Sequence, residues 1–199
     1  RDGTVLCDLS QFGILQVSGE DAQSFLQNLL SNDIREVSGN RAQLSSINNA
    51  KGRMLAGMLA WRSGDDYLLQ LPRGLCETIR KKLSMYVLRA KVKIADVSDE
   101  IVCIGIAGSD ASRILKPHYP ALTQQPMVVL TQDADIILCR DANRFQITAT
   151  PQRAIELWQA LASFTNPVGS SCWDWLDIRT GIPFIQPATL EAFVPQMVN

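Results

Sequence analysis

Two short basic clusters are the residues best suited to hold an anionic ligand. Lys51 and Arg53 flank Gly52 in a turn between two apolar segments, and Arg89-Ala90-Lys91 follows a helical pattern. An ammonium or guanidinium group binds a carboxylate or phosphate, and a guanidinium does so with two parallel hydrogen bonds. A solvated turn or helix end is the simpler interpretation of each cluster.

Residue constellations of common enzymes are missing from the sequence. His118 is the single histidine and lies in a turn-like segment between two prolines, which is typical of an exposed loop residue. Asp65-Asp66 and Asp133-x-Asp135 adjoin predicted turns, where solvated carboxylates are common. No nucleophile elbow, P-loop or dinucleotide fingerprint occurs, and no cluster has metal-ligand spacing. We therefore predict no catalytic residue and no metal site.

Cysteine and tryptophan usage favours a packed core. The five cysteines include no C-x-x-C pair, so neither a disulfide framework nor a zinc site is expected, and a reducing, cytoplasmic location is predicted. Cys7, Cys103 and Cys139 lie in apolar runs and are predicted to be buried. Trp173 and Trp175 are typical of a helix that packs a Trp into the core, although a Trp can also stack on a flat ligand ring.

The composition is that of a globular chain. Of its 199 residues, 46% are hydrophobic and 20% are charged, which is enough apolar material for a core. Nineteen basic and twenty acidic residues give a net charge of −1, which argues against binding duplex DNA directly. The longest apolar stretch, residues 54–61, is far shorter than the ~20 residues of a membrane span, so no membrane association is expected.

The hydrophobic pattern alternates between strands and helices. Strands are predicted over 14–18, 42–47, 54–61, 66–71, 92–95, 101–107, 127–130, 136–140 and 145–149. Helices are predicted after Ser18, after Pro72, over 109–115, after Thr150 and over 172–180, with Ser18 and Asp21 as a capping pair for the first. Tyr86 and Ile155 are expected on inward helix faces, and the tail after residue 181 is expected to be mostly irregular.

An internal repeat divides the chain. Residues 17–22 (VSGEDA) match residues 106–111 (IAGSDA), each with a strand end, a glycine turn and a helix start. Chance similarity between two strand–turn–helix units is the alternative explanation. We predict an α+β fold of two similar units with antiparallel sheets. Residues 1–97 would form the first half and residues 98–199 the second half plus the irregular tail, with the halves interleaved.

Four segments in register resemble the YgfZ family, a branch of the folate-binding T-protein (aminomethyltransferase) superfamily. They are residues 19–33 (GEDAQSFLQNLLSND), 49–55 (NAKGRML), 177–183 (DIRTGIP) and 193–199 (FVPQMVN). The resemblance covers almost the whole chain and implies a folate-binding fold made by internal duplication. It also implies binding of tetrahydrofolate or a derivative. The associated role is in assembly or repair of iron–sulfur enzymes, including one that modifies tRNA.

The folate site implied by the resemblance pairs an apolar slot with a few polar groups and a cation. Met54 and Met58 are predicted to line the slot from one strand face, with a plain core role as the alternative. Arg53, Arg73 and Arg179 are assigned to the anionic tail of the folate or to its ring edge, and Lys51 is a fourth predicted cofactor-binding cation. Members of the family continue into a K-G-C-x-x-G-Q-E signature and a C-terminal β-barrel domain, neither of which is expected within residues 1–199.

Two departures from the T-protein pattern bear on catalysis. That branch places an Asp in the strand after the glycine turn, whereas residues 54–58 here read MLAGM. Arg179 stands where a Glu would hold the pterin amine, and an arginine cannot accept that hydrogen bond. The leading hypothesis is therefore a tetrahydrofolate-binding accessory protein of iron–sulfur metabolism. The alternatives are a folate-dependent aminomethyl or one-carbon transferase, and an RNA- or protein-interaction module, which the evenly mixed charge does not favour.

Overall fold

The computed structural model describes residues 3–198, and their contacts divide into two compact units. The first unit comprises residues 11–98 and 177–198, and the second comprises residues 3–10 and 99–176. The sequence predicted halves of residues 1–97 and 98–199. In the structure, residues 3–10 belong instead to the second unit and residues 177–198 belong to the first. The reason is strand pairing, because residues 5–8 join the sheet of the second unit and residues 191–193 bond to the first.

Eleven strands and five helices lie within residues 3–198. In chain order the strands are β1 (Val5–Asp8), β2 (Phe12–Ser18), β3 (Gln43–Asn48), β4 (Met54–Ser63), β5 (Asp66–Pro72), β6 (Lys93–Asp96), β7 (Val102–Ala107), β8 (Val129–Gln132), β9 (Asp135–Asp141), β10 (Arg144–Ala149) and β11 (Asn166–Val168). The helices are α1 (Ala22–Gln27), α2 (Cys76–Ser84), α3 (Ala111–Leu115), α4 (Pro151–Ala162) and α5 (Ser170–Arg179). Within the same residues, no helix is long and apolar enough to cross a membrane.

The sheet of the first unit is antiparallel throughout, in the order β3-β4-β5-β2-β6. Strand β4, which lies between β3 and β5, is buried over eight consecutive residues, 54–61, and this explains the continuous apolar run in the sequence. Helices α1 and α2 contribute Phe25, Leu26, Ile79 and Leu83 to the same core. Each helix therefore packs one apolar stripe and leaves its other side in water.

The sheet of the second unit has the order β11-β1-β7-β10-β9-β8. Its neighbouring strands are antiparallel except β1 and β11, which are parallel. Helix α4 begins as the sequence predicts, because Pro151 occupies the first turn and the Thr150 hydroxyl accepts a hydrogen bond from the Arg153 amide. Its buried side chains are Ala154, Leu157 and Leu161.

The predicted duplication is confirmed by the topology. Strands β2, β3, β4 and β5 of the first unit have the same chain order and neighbours as β7, β8, β9 and β10 of the second. The first strand of each repeated set, β2 or β7, ends at a left-handed glycine, Gly19 with φ of 115° or Gly108 with φ of 138°. In both, the first helical residue donates to that glycine's carbonyl, from Ala22 and Ala111, at 3.0 Å. Two short units thus share one strand–turn–helix design.

Three local predictions are wrong. Tyr86 is 45% exposed because α2 ends at Ser84, and Ile155 is 53% exposed because Leu157 takes the inward position. Asp21 does not cap α1, since its carboxylate accepts a hydrogen bond from the Lys91 amide at 2.8 Å instead. The pattern also missed β1 and β11, which are too short for a clear alternation.

Candidate functional site

A cavity of about 170 Å³ lies inside the first unit, between the β3–β4 hairpin and the C-terminal segment. Its walls are formed by Ser31, Asn32, Leu44, Ser45, Ser46, Met54, Gly57, Met58, Gly181, Pro183, Pro195 and Val198. These described residues combine apolar side chains with hydroxyl and amide groups, and none of them is charged. The volume lies below the ~300–1,000 Å³ of pockets that enclose drug-sized molecules. The cavity therefore suits one compact ring system rather than a whole large ligand.

A β-bulge shapes the apolar wall. Asn48 pairs with Met54 and Ile47 pairs with Ala56, so β4 carries one extra residue at this point. The bulge brings Met54 onto the face of Gly57, where its methyl carbon lies 3.8 Å from the position that a Gly57 Cβ would take. Met58 also lines the cavity, but its register places it on the other face. The prediction that both methionines share one strand face is wrong, because alternation alone does not reveal a bulge.

Gly57 and the C-terminal segment form a further part of the cavity lining. A Cβ on Gly57 would stand 3.0 Å from the Pro183 carbonyl oxygen, so a glycine lets the segment approach closely. The Met54 amide donates to the Phe193 carbonyl at 2.8 Å, and the Glu191 amide donates to the Met54 carbonyl at 3.0 Å. Backbone bonds therefore hold the tail, which otherwise forms only short 3₁₀ turns at Pro187–Thr189 and Pro195–Met197.

The polar wall is a small hydrogen-bonded network. The Ser31 hydroxyl donates to Asn32 Oδ1 at 3.0 Å and accepts from the Ser46 amide at 3.0 Å. Asn32 Nδ2 donates to the Leu44 carbonyl at 3.0 Å. These bonds fix the orientation of the amide while Ser31 and Asn32 stay exposed, so the wall offers oriented donors and acceptors to the edge of a polar ring.

The four predicted cations lie outside the described walls of the cavity. Lys51 is exposed at the tip of the β3–β4 hairpin, and Arg53 Nη1 donates to the Ala192 carbonyl at 2.8 Å. Arg73 lies in the turn before α2, where its Nη1 donates to the Ser98 carbonyl at 3.4 Å. Arg179 ends α5, two residues before the wall residue Gly181. The two predicted methionines therefore line the cavity, whereas the four predicted cations lie outside its described walls.

Sequence reasoning missed the polar wall. Ser31 and Asn32 occur inside the segment that carries the family resemblance, and Ser45-Ser46 lies between the apolar residues Leu44 and Ile47 of β3. Two adjacent serines in a strand buried on both sides were the available signal. That signal is weak, because serines also occur in strands without any ligand.

One acidic residue is structural rather than solvated. Asp135 is 3% exposed, so the expectation of a solvated turn carboxylate is wrong for it. Its Oδ2 accepts a hydrogen bond from the Tyr119 hydroxyl at 2.8 Å and from Arg153 Nε at 3.0 Å. Burial first, and this carboxylate second, raise the pKa of Tyr119 above its ordinary range. The three side chains join β9, α4 and the loop after α3, which is a packing role.

Four of the five cysteines are poor nucleophiles. Cys7, Cys76, Cys103 and Cys139 are buried, and the predicted burial of Cys7, Cys103 and Cys139 is confirmed. Desolvation raises the pKa of each of these four thiols to about 11. Since the thiolate is the reactive form, they are protonated and shielded at neutral pH. Within residues 3–198, no group of three or more potential metal ligands converges.

We expect a thiol reagent such as Ellman's reagent to modify one cysteine of the native chain rapidly at pH 7.5. That cysteine is Cys172, which is half-buried on α5, and the other four should react only as the chain unfolds. The pKa of a buried thiol is about 11 in the folded chain, compared with an ordinary thiol pKa of 9.0 in the unfolded chain. The unfolded chain therefore loses these protons first, and the free energy of unfolding should fall as the pH rises from 9.0 toward 11. Two or more rapidly modified thiols in the native chain would contradict this arrangement.

The duplicated antiparallel architecture defines a known class of domain. The GCVT N-terminal domain family matches residues 1–172, and the chain belongs to that family. The resemblance to the T-protein superfamily is thereby confirmed.

Two curated relatives are called tRNA-modifying protein YgfZ. The protein from Cronobacter sakazakii is 28% identical over 196 residues, which cover 98% of this chain and 59% of the relative. The protein from Photorhabdus laumondii is 26% identical over the same shares of the two chains. The chain therefore spans about three fifths of the length of these curated relatives.

Solved structures show the same fold at low identity. Glycine cleavage system aminomethyltransferase T from Bartonella henselae aligns with a TM-score of 0.73 at 18% identity, over 85% of this chain and 48% of that one. Heterotetrameric sarcosine oxidase from Corynebacterium sp. U-96 aligns with a TM-score of 0.58 at 12% identity, over 81% of this chain and 85% of that one. These likenesses establish the fold.

Proposed function

We propose that the chain binds a reduced folate, tetrahydrofolate or a derivative, in the cavity of the first unit. We further propose that it acts as an accessory protein for iron–sulfur enzymes that modify tRNA. The names of its YgfZ relatives support the link to tRNA modification, and membership of the GCVT domain family supports a folate ligand. The whole activity is a proposal, because the chain spans 59% of those relatives.

The observation that carries the proposal is the contrast between the two cavity walls. A pterin is a flat bicyclic ring with apolar faces and a hydrogen-bonding edge. The thioether of Met54 can pack against the ring face, since sulfur interacts well with aromatic systems. Asn32 and Ser31, which also line the cavity, can hydrogen-bond the edge of the ring. The volume of about 170 Å³ admits the ring system and leaves the rest of the folate outside.

The part of the ligand outside the cavity carries the negative charge. Arg53 directly precedes the wall residue Met54, and Arg179 lies two residues before the wall residue Gly181. Lys51 is exposed on the same hairpin. These cations are suited to a carboxylate that emerges from the cavity, and their exposed position makes that contribution sensitive to salt. Arg73 remains a predicted contact of the anionic tail of the folate.

A pair of asparagine variants tests the site. Asn32→Leu removes the oriented amide from the polar wall, and a ligand edge left without its partner should bind roughly 5- to 100-fold more weakly. Asn40→Leu is the matched control, because Asn40 is also exposed and accepts from a nearby serine, Ser38. Binding is measured as the rise in melting temperature with tetrahydrofolate, since a ligand that binds only the folded state stabilises it.

The proposal predicts that Asn40→Leu keeps the ligand-induced rise in melting temperature and that Asn32→Leu loses most of it. Equal rises in both variants would move the ligand away from this cavity. The absence of any rise in the unmodified chain at millimolar tetrahydrofolate would remove the folate from the proposed function altogether.

A further inference from the structure

Charge is concentrated in one segment of the first unit. Residues 79–94 contain six of the nineteen lysines and arginines and no acidic residue, so the rest of the chain carries a net charge of −7. The six are Arg80, Lys81, Lys82, Arg89, Lys91 and Lys93. The expectation of an evenly mixed charge is therefore wrong for this segment, which we call the 79–94 patch. Such a segment attracts a polyanion even though the whole chain is almost neutral.

Large apolar side chains are exposed within the same patch. Met85 is 69% exposed, Tyr86 is 45% exposed and Leu88 is 89% exposed, all within four residues after the end of α2. Leu88 has a φ of 42°, so the chain turns sharply and leaves these side chains in water. Lys82 Nζ lies 5.6 Å from the centre of the Tyr86 ring. An exposed aromatic ring beside cations is typical of surfaces on which nucleobases stack.

Tyr86 also forms the wall of a surface pocket of about 320 Å³. The other walls are formed by Asp21, Ser24, Phe25, Asn28, Leu29 and Ala90. Ser24 and Asn28 are exposed and place a hydroxyl and an amide at the edge of the pocket. The pocket thus joins an aromatic face to hydrogen-bonding groups, which is how proteins read an unstacked base of single-stranded RNA.

We propose that the 79–94 patch binds a single-stranded segment of RNA, with one base stacked on Tyr86 and the phosphates along Arg89 and Lys93. Both cations are exposed, whereas Arg80 and Lys81 already pair with Glu77 and Lys91 already pairs with Glu20. The polar-edged pocket distinguishes RNA from an anionic lipid surface, which offers no flat ring to fill it. The inference deepens the proposed role in tRNA modification and rests on it, because it assigns the RNA partner to a surface separate from the proposed folate cavity.

Removing two cations tests the electrostatic part. Arg89→Gln/Lys93→Gln should weaken binding of an unmodified tRNA transcript, measured by fluorescence anisotropy at low salt. It should also reduce the slope of log affinity against log salt by about 1.4, since each phosphate contact in a single strand contributes about 0.7. Arg41→Gln/Lys116→Gln is the matched control, because it removes two exposed cations that lie outside the patch. The control should keep the original slope.

Replacing the aromatic ring tests the stacking part. Tyr86→Ala should weaken binding of a short single-stranded RNA at least ~5-fold, and Tyr86→Phe should retain most of the affinity because it keeps the ring. The melting temperature should be unchanged in all patch variants, because the replaced side chains are exposed. Tetrahydrofolate binding should also be unchanged, because none of these residues lines the folate cavity.

Three results would overturn the inference. The first is that the chain binds no RNA at low salt, the second is that patch and control variants bind RNA equally well, and the third is that the chain binds vesicles of anionic lipid and not RNA. If folate binding persists in any of these cases, the proposed folate site stands and only the RNA surface is lost. A chain that binds RNA through the patch but no folate would instead refute the folate proposal alone.

Discussion

Gly19→Ala is expected to lower the free energy of unfolding by about 3 kcal/mol or more. Gly19 has a φ of 115°, a conformation that side chains with a Cβ rarely adopt, and the new Cβ would collide with the Lys91 carbonyl. The clash is costly to relieve, because the Lys91 carbonyl belongs to the backbone just before β6 and accepts a hydrogen bond from the Asp21 amide at 3.5 Å. Urea unfolding followed by circular dichroism measures the loss.

Two other glycines distinguish the cost of a positive φ from the cost of a steric clash. Gly64 has a φ of 60° and no atom within 4 Å of an added Cβ, so Gly64→Ala should cost only about 1 kcal/mol. Gly39 has open space and no positive φ, so Gly39→Ala should be neutral or stabilising by about 0.5 kcal/mol. If Gly19→Ala costs no more than Gly64→Ala, close backbone packing at this turn is disproved.

The duplicate glycine should behave in the same way. In the second unit, a Cβ on Gly108 would stand 2.7 Å from the Thr4 Cα, and φ there is 138°. The repeated motif therefore reflects a shared steric requirement at the ends of the corresponding strands β2 and β7.

The second large effect is expected for Trp173→Ala, with a loss of about 3–5 kcal/mol in the free energy of unfolding. Trp173 is completely buried, and its ring occupies the space that a side chain at Gly105 would need. The Arg144 guanidinium, itself 2% exposed at its side chain, lies 5.4 Å from the centre of the ring. Removing the ring therefore opens a cavity and takes a favourable cation–π contact from a buried charge.

Trp175 provides the control on the same helix. It is 52% exposed, so Trp175→Ala should change the free energy of unfolding by no more than about 1 kcal/mol. Thermal unfolding of the two variants under identical conditions makes the comparison. Similar losses for both would show that α5 does not pack through Trp173 as described.

The repeat and every strand except β1 and β11 followed from the sequence because they depend on local periodicity and on glycine. Residues 54–61 read as one apolar run, and β4 is buried over that whole run. The burial of Cys7, Cys103 and Cys139 followed from the same apolar pattern. Local pattern is sufficient wherever a strand is covered on both faces.

The candidate site depended on features that the pattern does not carry. The bulge at residues 47–48 changed which residues share a face with Met54. The use of the Arg53 side chain to hold the tail depends on a partner 139 positions away, Ala192. Contacts between distant segments are set by tertiary packing. The sequence could therefore show which residues are suitable cations, but it could not show where they lie relative to the cavity.

The most direct measurement of the central claim is a tetrahydrofolate titration followed by NMR of the five methionine methyl groups, labelled with ¹³C. A pterin ring in the cavity should shift the Met54 methyl most and the Met58 methyl next, because both line it. Met85 and Met127 lie outside its walls and should not move. Saturable shifts at Met54 and Met58 are the predicted result. Shifts confined to other methionines, or none at millimolar ligand, would contradict the account.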